Sequence, residues 1–230
     1  MKPGTATVLQ IQQNIHGVRQ AVIDWPGGKT PLPGQYLQAF KLAEPENPTA
    51  VSLFPGGLPE PGHPPTNWTT ACAVPASWNP SDRLLLRGPL GNGFNIPEGS
   101  IRVALAAFGD FTEYLLPIAG KVLAAGGEVA LFTDGWFPHL PASIEVNPIN
   151  GLEDGIRWAD YLASCTTLQR VPETRSILRK MGAAPNSEVL VLSPMPCGAL
   201  AECGVCAIKS GDGKLRWLCE DGPVIPWRDF

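Results

Sequence analysis

The sequence predicts a β plus α/β protein: an N-terminal antiparallel β-barrel, a shortened parallel α/β domain, and a C-terminal cysteine-rich loop. Three observations carry this. Residues 1–98 hold short runs of alternating apolar and polar residues separated by turns rich in glycine and proline. From Ile101 to Phe132, two apolar runs of strand length flank a stretch of helix formers. Four of the six cysteines then fall between Cys197 and Cys219.

In chain order, Thr5–Ile23 alternates apolar and polar residues on either side of Asn14–Gly17, which predicts a hairpin. Pro33–Phe40 is a turn leading into a strand, and Ala50–Phe54 is a short apolar run. Residues 55–67 carry five prolines, which remove backbone donors and fix φ, so they form a loop inserted in the barrel rather than a domain linker. Trp68–Val74 and Asp82–Leu86 supply further strands, and Arg87–Phe94, RGPLGNGF, taken alone is a tight turn at the barrel exit. The barrel then ends near residue 98.

The second domain, 99–192, opens with a strand over Ile101–Ala107, a helix over Glu113–Ala125 and a strand over Glu128–Phe132, a parallel strand–helix–strand unit. Ala142–Val146 is a further strand, Gly151–Ala163 or Val171–Met181 supply helices, and Val189–Leu192 is a short buried strand. The last segment, 193–230, holds the cysteine loop, and a strand over Leu215–Leu218 brings Cys219 back to it.

Five, two and twelve residues separate Cys197, Cys203, Cys206 and Cys219. Three thiolates on a tight loop wrap one side of a two-iron, two-sulfide rhomb, and a fourth from a returning strand completes it. Zinc usually asks for two pairs, so a structural zinc site in an adaptor protein is the alternative. Gly198 and Gly204 fit a loop that turns its N–H groups inward. Cys72 and Cys165 stand apart and are expected to be small buried hydrophobes.

A net charge of −4, with 17 Lys and Arg scattered along the chain, leaves no basic footprint for nucleic acid. No window approaches the roughly eighteen apolar residues a membrane span needs, and the start of the sequence lacks an apolar stretch. The expected setting is cytoplasmic and reducing. His16, His63 and His139 have no metal spacing and are expected at the surface. Trp25, Trp68 and Trp78 are expected to pack the barrel, and Trp136 a core or an interface. No Ser-His-Asp set, paired carboxylates or Walker-type loop is present, so any chemistry belongs to a cofactor.

PGQY at 33–36, RGPLGNGF at 87–94 and CEDGPV at 219–224, with the order of elements, resemble the electron-transfer subunit of heterodimeric dihydroorotate dehydrogenase, in the ferredoxin-reductase-like superfamily. The resemblance implies FAD in the barrel with Gly91 and Gly93 as its neighbours, and a 2Fe-2S cluster on Cys197, Cys203, Cys206 and Cys219. It also implies a hetero-oligomer in which electrons pass between NAD and a flavoprotein catalytic subunit of pyrimidine biosynthesis. The chain departs from that pattern in four places. The first cysteine interval is one residue longer than usual in the family, so the loop should bulge through Ala199–Glu202. Thr49–Pro55 carries no arginine for a flavin pyrophosphate. The turn at Ala106–Thr112 has one glycine, and Asp110 stands where an anion should sit. The Cys-Gly-Pro motif expected after the last strand is missing from Leu190–Pro196. NAD binding is therefore expected to be lost or strongly altered. A cluster-only relay or docking subunit of another oxidoreductase complex is the alternative function.

Overall fold

Two sheets and a short hairpin organise the chain in the computed structural model, which describes residues 3–14, 17–45, 49–58, 67–135, 140–183 and 186–230. The first two strands, β1 (Gly4–Gln13) and β2 (Arg19–Asp24), form the expected hairpin. Asn14 closes it: its amide donates to the Val18 carbonyl and its side-chain oxygen accepts the Val18 amide, both at 3.0 Å. A short amide side chain can satisfy a turn in this way without help from elsewhere.

With β3 (Tyr36–Lys41), β4 (Val51–Leu53), β5 (Pro55–Gly56), β6 (Asn67–Thr70) and β7 (Arg83–Leu90), the first sheet runs in the order β4-β3-β7-β1-β2-β6-β5. Its two edges are consecutive in the chain. Leu53 faces Leu37 on β3 while Pro55 faces Thr70 on β6, so residues 51–56 close the sheet on itself at Phe54. Trp25, Trp68 and Trp78 fill the interior together with Leu37, Leu53 and Leu84.

RGPLGNGF is not a turn in its first half. Leu84, Leu86 and Gly88 are buried in alternation, so the strand period persists and β7 runs on to Leu90. Gly88 is a packing position: a Cβ there would lie 2.5 Å from Leu37 Cδ2. The close approach, together with a φ of 147° at an irregularity in the β3–β7 register, explains the glycine.

The second sheet comprises β8 (Arg102–Ala107), β9 (Glu128–Thr133), β10 (Ile144–Pro148), β11 (Tyr161–Thr167), β12 (Glu188–Leu192) and β15 (Val224–Pro226), in the order β10-β9-β8-β11-β12-β15. All its pairings are parallel except β12 with β15. Three helices connect the strands: α1 (Leu116–Ala124), α2 (Leu152–Trp158) and α3 (Val171–Lys180). The remaining elements are the hairpin β13 (Ala207–Lys209) and β14 (Leu215–Trp217), and the single turn α4 (Leu218–Asp221).

The helix expected as far as Ala163 ends at Trp158, and β11 replaces its last turn. Tyr161–Thr166 are all buried, as befits a central parallel strand covered on both faces. Asp160 sets the start of β11. Its amide donates to the Arg102 carbonyl (2.9 Å), and its carboxylate accepts the Ile101 and Arg102 amides and the Arg102 guanidinium at 3.1, 2.9 and 2.9 Å. From β8 the chain builds outward through β9 and β10, then returns to the other side through β11 and β12. The switch point of the sheet therefore lies between β8 and β11.

No helix among the described residues is long and apolar enough to cross a membrane. His16, His63, His139 and Trp136 lie outside the described residues.

The Asp160 carboxyl is held down at about 2, first by the Arg102 guanidinium and then by the two backbone amides. A carboxylate depressed by folding stabilises the fold above its unfolded value, near 3.9, and loses that contribution as pH falls through the folded one. Asp160→Asn should lower the thermal midpoint at neutral pH, with the gap to the parent closing between about pH 4 and about pH 2. Parallel melts across that range check it, and a pH-independent gap would refute the assignment.

Candidate metal centre

Cys197 follows β12 after Ser193–Pro196, Cys203 and Cys206 lie on the loop before β13, and Cys219 sits in α4. Cys206 and Cys219 are buried, Cys203 is exposed and Cys197 is partly buried. The four thiols share one neighbourhood: Cys203 acts on Cys197, and Cys206 and Cys197 both act on Cys219. Among the described residues, no three Cys, His, Asp or Glu side chains close on a single ion. The thiols stand as two pairs, and a two-iron cluster divides four thiolates between two metals.

The bulge expected through Ala199–Glu202 has a specific backbone. Gly198, Ala199, Ala201 and Gly204 all take positive φ, at 65°, 63°, 58° and 68°. A Cβ on Gly198 or Gly204 would meet no protein atom within 4 Å, so the left-handed backbone, not crowding by the protein, is what asks for glycine there. Ala199 and Ala201 pay for the same conformation with about 1 kcal/mol or more each. These left-handed residues turn amides of the loop toward the sulfurs. The Leu200 amide donates to Cys197 Sγ at 3.4 Å, the amides of Glu202 and Cys203 address the same sulfur, and that of Ala201 addresses Cys219.

These donors split the thiols electrostatically. Burial resists ionisation of Cys197, but the amides of Leu200, Glu202 and Cys203 and the Cys203 thiol outweigh it and bring the group to about 6. Cys219 is pushed up to about 12, by burial first and then by Cys206 beside it. The two thiols are thus pulled in opposite directions, Cys197 toward the thiolate and Cys219 toward the thiol. Ionising all four requires cations that displace protons, which is how metal binding couples to thiol chemistry.

Three stretches far apart in sequence meet behind the cysteines. Tyr36, which ends PGQY, donates its hydroxyl to the Cys219 carbonyl at 3.2 Å. In RGPLGNGF, the Asn92 amide donates to the Gly222 carbonyl (2.7 Å) and the Asn92 side chain to that of Asp221 (2.9 Å). Arg87 donates to the Gly198 carbonyl. Beyond the turn, Pro223 accepts the Val191 amide at 3.0 Å and β15 joins β12. Cys206, Leu218, Cys219 and Val224 share one core with β8, β9, β11 and β12, and that core also takes in Tyr36, Phe54 and Phe94 from the barrel.

Gly91 and Gly93, expected beside a flavin, both face protein. At Gly91 (φ +73°) a Cβ would lie 2.6 Å from the Gly222 oxygen and from Pro223 Cδ. At Gly93 it would lie 2.9 Å from the Pro33 oxygen. Where the barrel meets the second sheet, the rings of Tyr36, Phe54 and Tyr114 pack in series with centroids 5.4 and 5.6 Å apart. Burial pushes the phenols of Tyr36 and Tyr114 up, and neighbouring cysteines add to this at both.

At the switch point the Gly109 amide is already satisfied. It donates to Asp134 Oδ1 at 2.6 Å, and Asp134 pairs with Arg170 at 3.5 Å. Sequence reading singled out Asp110 here. The carboxylate that takes the amide comes instead from the end of β9, 25 residues away, with no local signal to reveal it.

Gly91→Ala should lower stability by about 2–4 kcal/mol, summing a positive-φ penalty and overpacking against the Gly222–Pro223 backbone. Denaturant unfolding of flavin-free protein measures it. A loss seen only with flavin present would instead support Gly91 as a cofactor contact.

No protein-family model matches the chain. Among solved structures, the chain is similar to an NADH-dependent reduced ferredoxin-NADP oxidoreductase described for flavin-based electron bifurcation. The TM-score is 0.71 at 16% identity, over 97% of this chain and 88% of that one. It is similar to the ferredoxin reductase of carbazole 1,9a-dioxygenase, with a TM-score of 0.63 at 16% identity over 82% of this chain and 68% of that one. Phthalate dioxygenase reductase, described as a modular structure for electron transfer from pyridine nucleotides to 2Fe-2S, matches with a TM-score of 0.60 at 10% identity, over 97% and 76%. At these identities the likeness is one of architecture, and the arrangement of barrel and α/β sheet is the ferredoxin-reductase fold.

Proposed function

We propose that the chain is an electron-transfer protein carrying a 2Fe-2S cluster on Cys197, Cys203, Cys206 and Cys219. The observation that supports this reading is that Cys197 interacts with Cys203 and Cys219, and Cys219 with Cys206, on a loop whose Leu200 amide donates to the Cys197 sulfur. The fold, shared with reductases of electron-transfer systems, supports it.

When bound, such a cluster takes up and returns single electrons. The chain's own residues supply the setting. Inward amides stabilise thiolate charge, while the burial of Cys206 and Cys219 keeps water from one side of the cage. The opposite side is open: Cys203 is exposed, and Leu200 and Val205 beside it are 55% and 45% exposed. An apolar rim around an exposed ligand suits a partner that brings its own redox group close. On the resemblance of the three motifs, this chain also holds FAD in its barrel, and the partner is a flavoprotein catalytic subunit of the dihydroorotate dehydrogenase kind, in a hetero-oligomer of pyrimidine biosynthesis.

A second reading is a cluster-only relay or docking subunit of another oxidoreductase complex. The carboxylate of Asp134 on the Gly109 amide and the lack of a cation in residues 49–55 favour it.

Anaerobic purification with iron, sulfide, zinc and flavin measured on one sample tests both. Iron and sulfide at about two each are expected, and Cys206→Ser should bleach the visible spectrum. One flavin per chain selects the first reading and none selects the second. Zinc alone, or an unchanged spectrum in Cys206→Ser, overturns the ligand assignment.

A further inference from the structure

Arg87 lies 111 residues from the carbonyl it binds. It faces Gln38 across the β3–β7 ladder, and Tyr36 stands two residues before Gln38 on the same side of β3. These two barrel side chains reach the two limbs of the cysteine cage. The Arg87 guanidinium donates to the carbonyl of Gly198, next to the first thiol, and the Tyr36 hydroxyl donates to the carbonyl of Cys219, the last. Among the described residues no ion pair is seen for Arg87, nor for Arg19 and Arg175, which also donate to main-chain carbonyls, those of Trp78 and Lys209. What sets Arg87 apart is the carbonyl it binds, that of Gly198 beside Cys197, so its partly buried charge stands next to the cysteine loop.

We infer that Arg87 is the counter-charge of the thiolate cage, a positioning residue that makes the loaded cage easier to reduce while tethering it to the barrel. The inference rests on the cluster reading above. Uptake of one electron adds one negative charge to the cage without making or breaking a bond. A fixed cation beside the cage favours that charged product over the oxidised form. Tyr36 shares the tether through a hydroxyl rather than a guanidinium, donating to the Cys219 carbonyl.

The test uses the full chain, loaded anaerobically with ferrous iron and sulfide, as the parent, Arg87→Gln, Arg87→Lys and Tyr36→Phe. Iron and sulfide are quantified first. Each protein is then reduced with dithionite in one-electron equilibrium with mediator dyes and followed by its visible spectrum. Arg87→Gln keeps hydrogen-bond donors and loses the charge. It should shift the equilibrium about tenfold toward the oxidised form, which is about 59 mV for one electron. Arg87→Lys should recover most of that shift, and Tyr36→Phe should stay within about twofold of the parent. A fully loaded Arg87→Gln at the parental potential overturns this inference alone. If Arg87→Gln fails to load, Arg87→Lys decides: loading at the parental potential supports the counter-charge, and failure to load overturns it. A parent protein that takes up no iron or sulfide overturns the cluster reading, and this inference with it.

Discussion

The cysteine cage depends on a seam of main-chain contacts between the barrel exit and the limb that returns Cys219. Each hydrogen bond there is worth only about 1 kcal/mol net, so the seam matters through geometry more than through energy. Gly91 has no side chain to hold Gly222 and Pro223 away, and Asn92 then addresses two successive carbonyls, those of Asp221 and Gly222. With that limb fixed, Cys219 lies beside Cys206, and the left-handed loop has only to fold over them. The position of Cys219 is set at the junction of the two sheets rather than by the cysteine loop itself.

Much of this was legible in the sequence, and the misses share a cause. The first hairpin, the barrel strands and the β8–α1–β9 unit were readable because their hydrophobic periods match their secondary structure. The cysteine set stood out in the sequence because its signal lies in residue type and spacing, and the structure brings its members into one neighbourhood. Gly88 and Pro89 misled because they carry the local signature of a turn while serving a long-range close approach to Leu37. Tyr161–Thr167 misled because a strand buried on both faces shows no alternation. The three motifs were legible as separate words, but their meeting was not, since Tyr36 and Cys219 are 183 residues apart. Nothing near Arg87 in the sequence announces which carbonyl it binds.

The switch point of the second sheet shows how a fold can keep a binding geometry and fill it from within. The end of β8 offers an outward amide at a left-handed glycine, Gly109 at φ 108°, the backbone feature that suits an anion. Asp134 supplies that anion covalently, and Arg170 neutralises it. A ligand tethered to the same chain competes at high effective concentration, so an external phosphate would have to displace both the hydrogen bond and the ion pair.

The last strand bears on a property unrelated to electrons. β15 covers the outer edge of β12, is three residues long, and has Pro223 before it and Pro226 as its final residue, neither with an N–H to offer another chain. It is a blunt end for an otherwise open sheet edge, of the kind that keeps sheets from adding to one another. Because β15 follows directly from the limb that carries Cys219, one short piece of backbone both positions that thiol and covers the edge of β12.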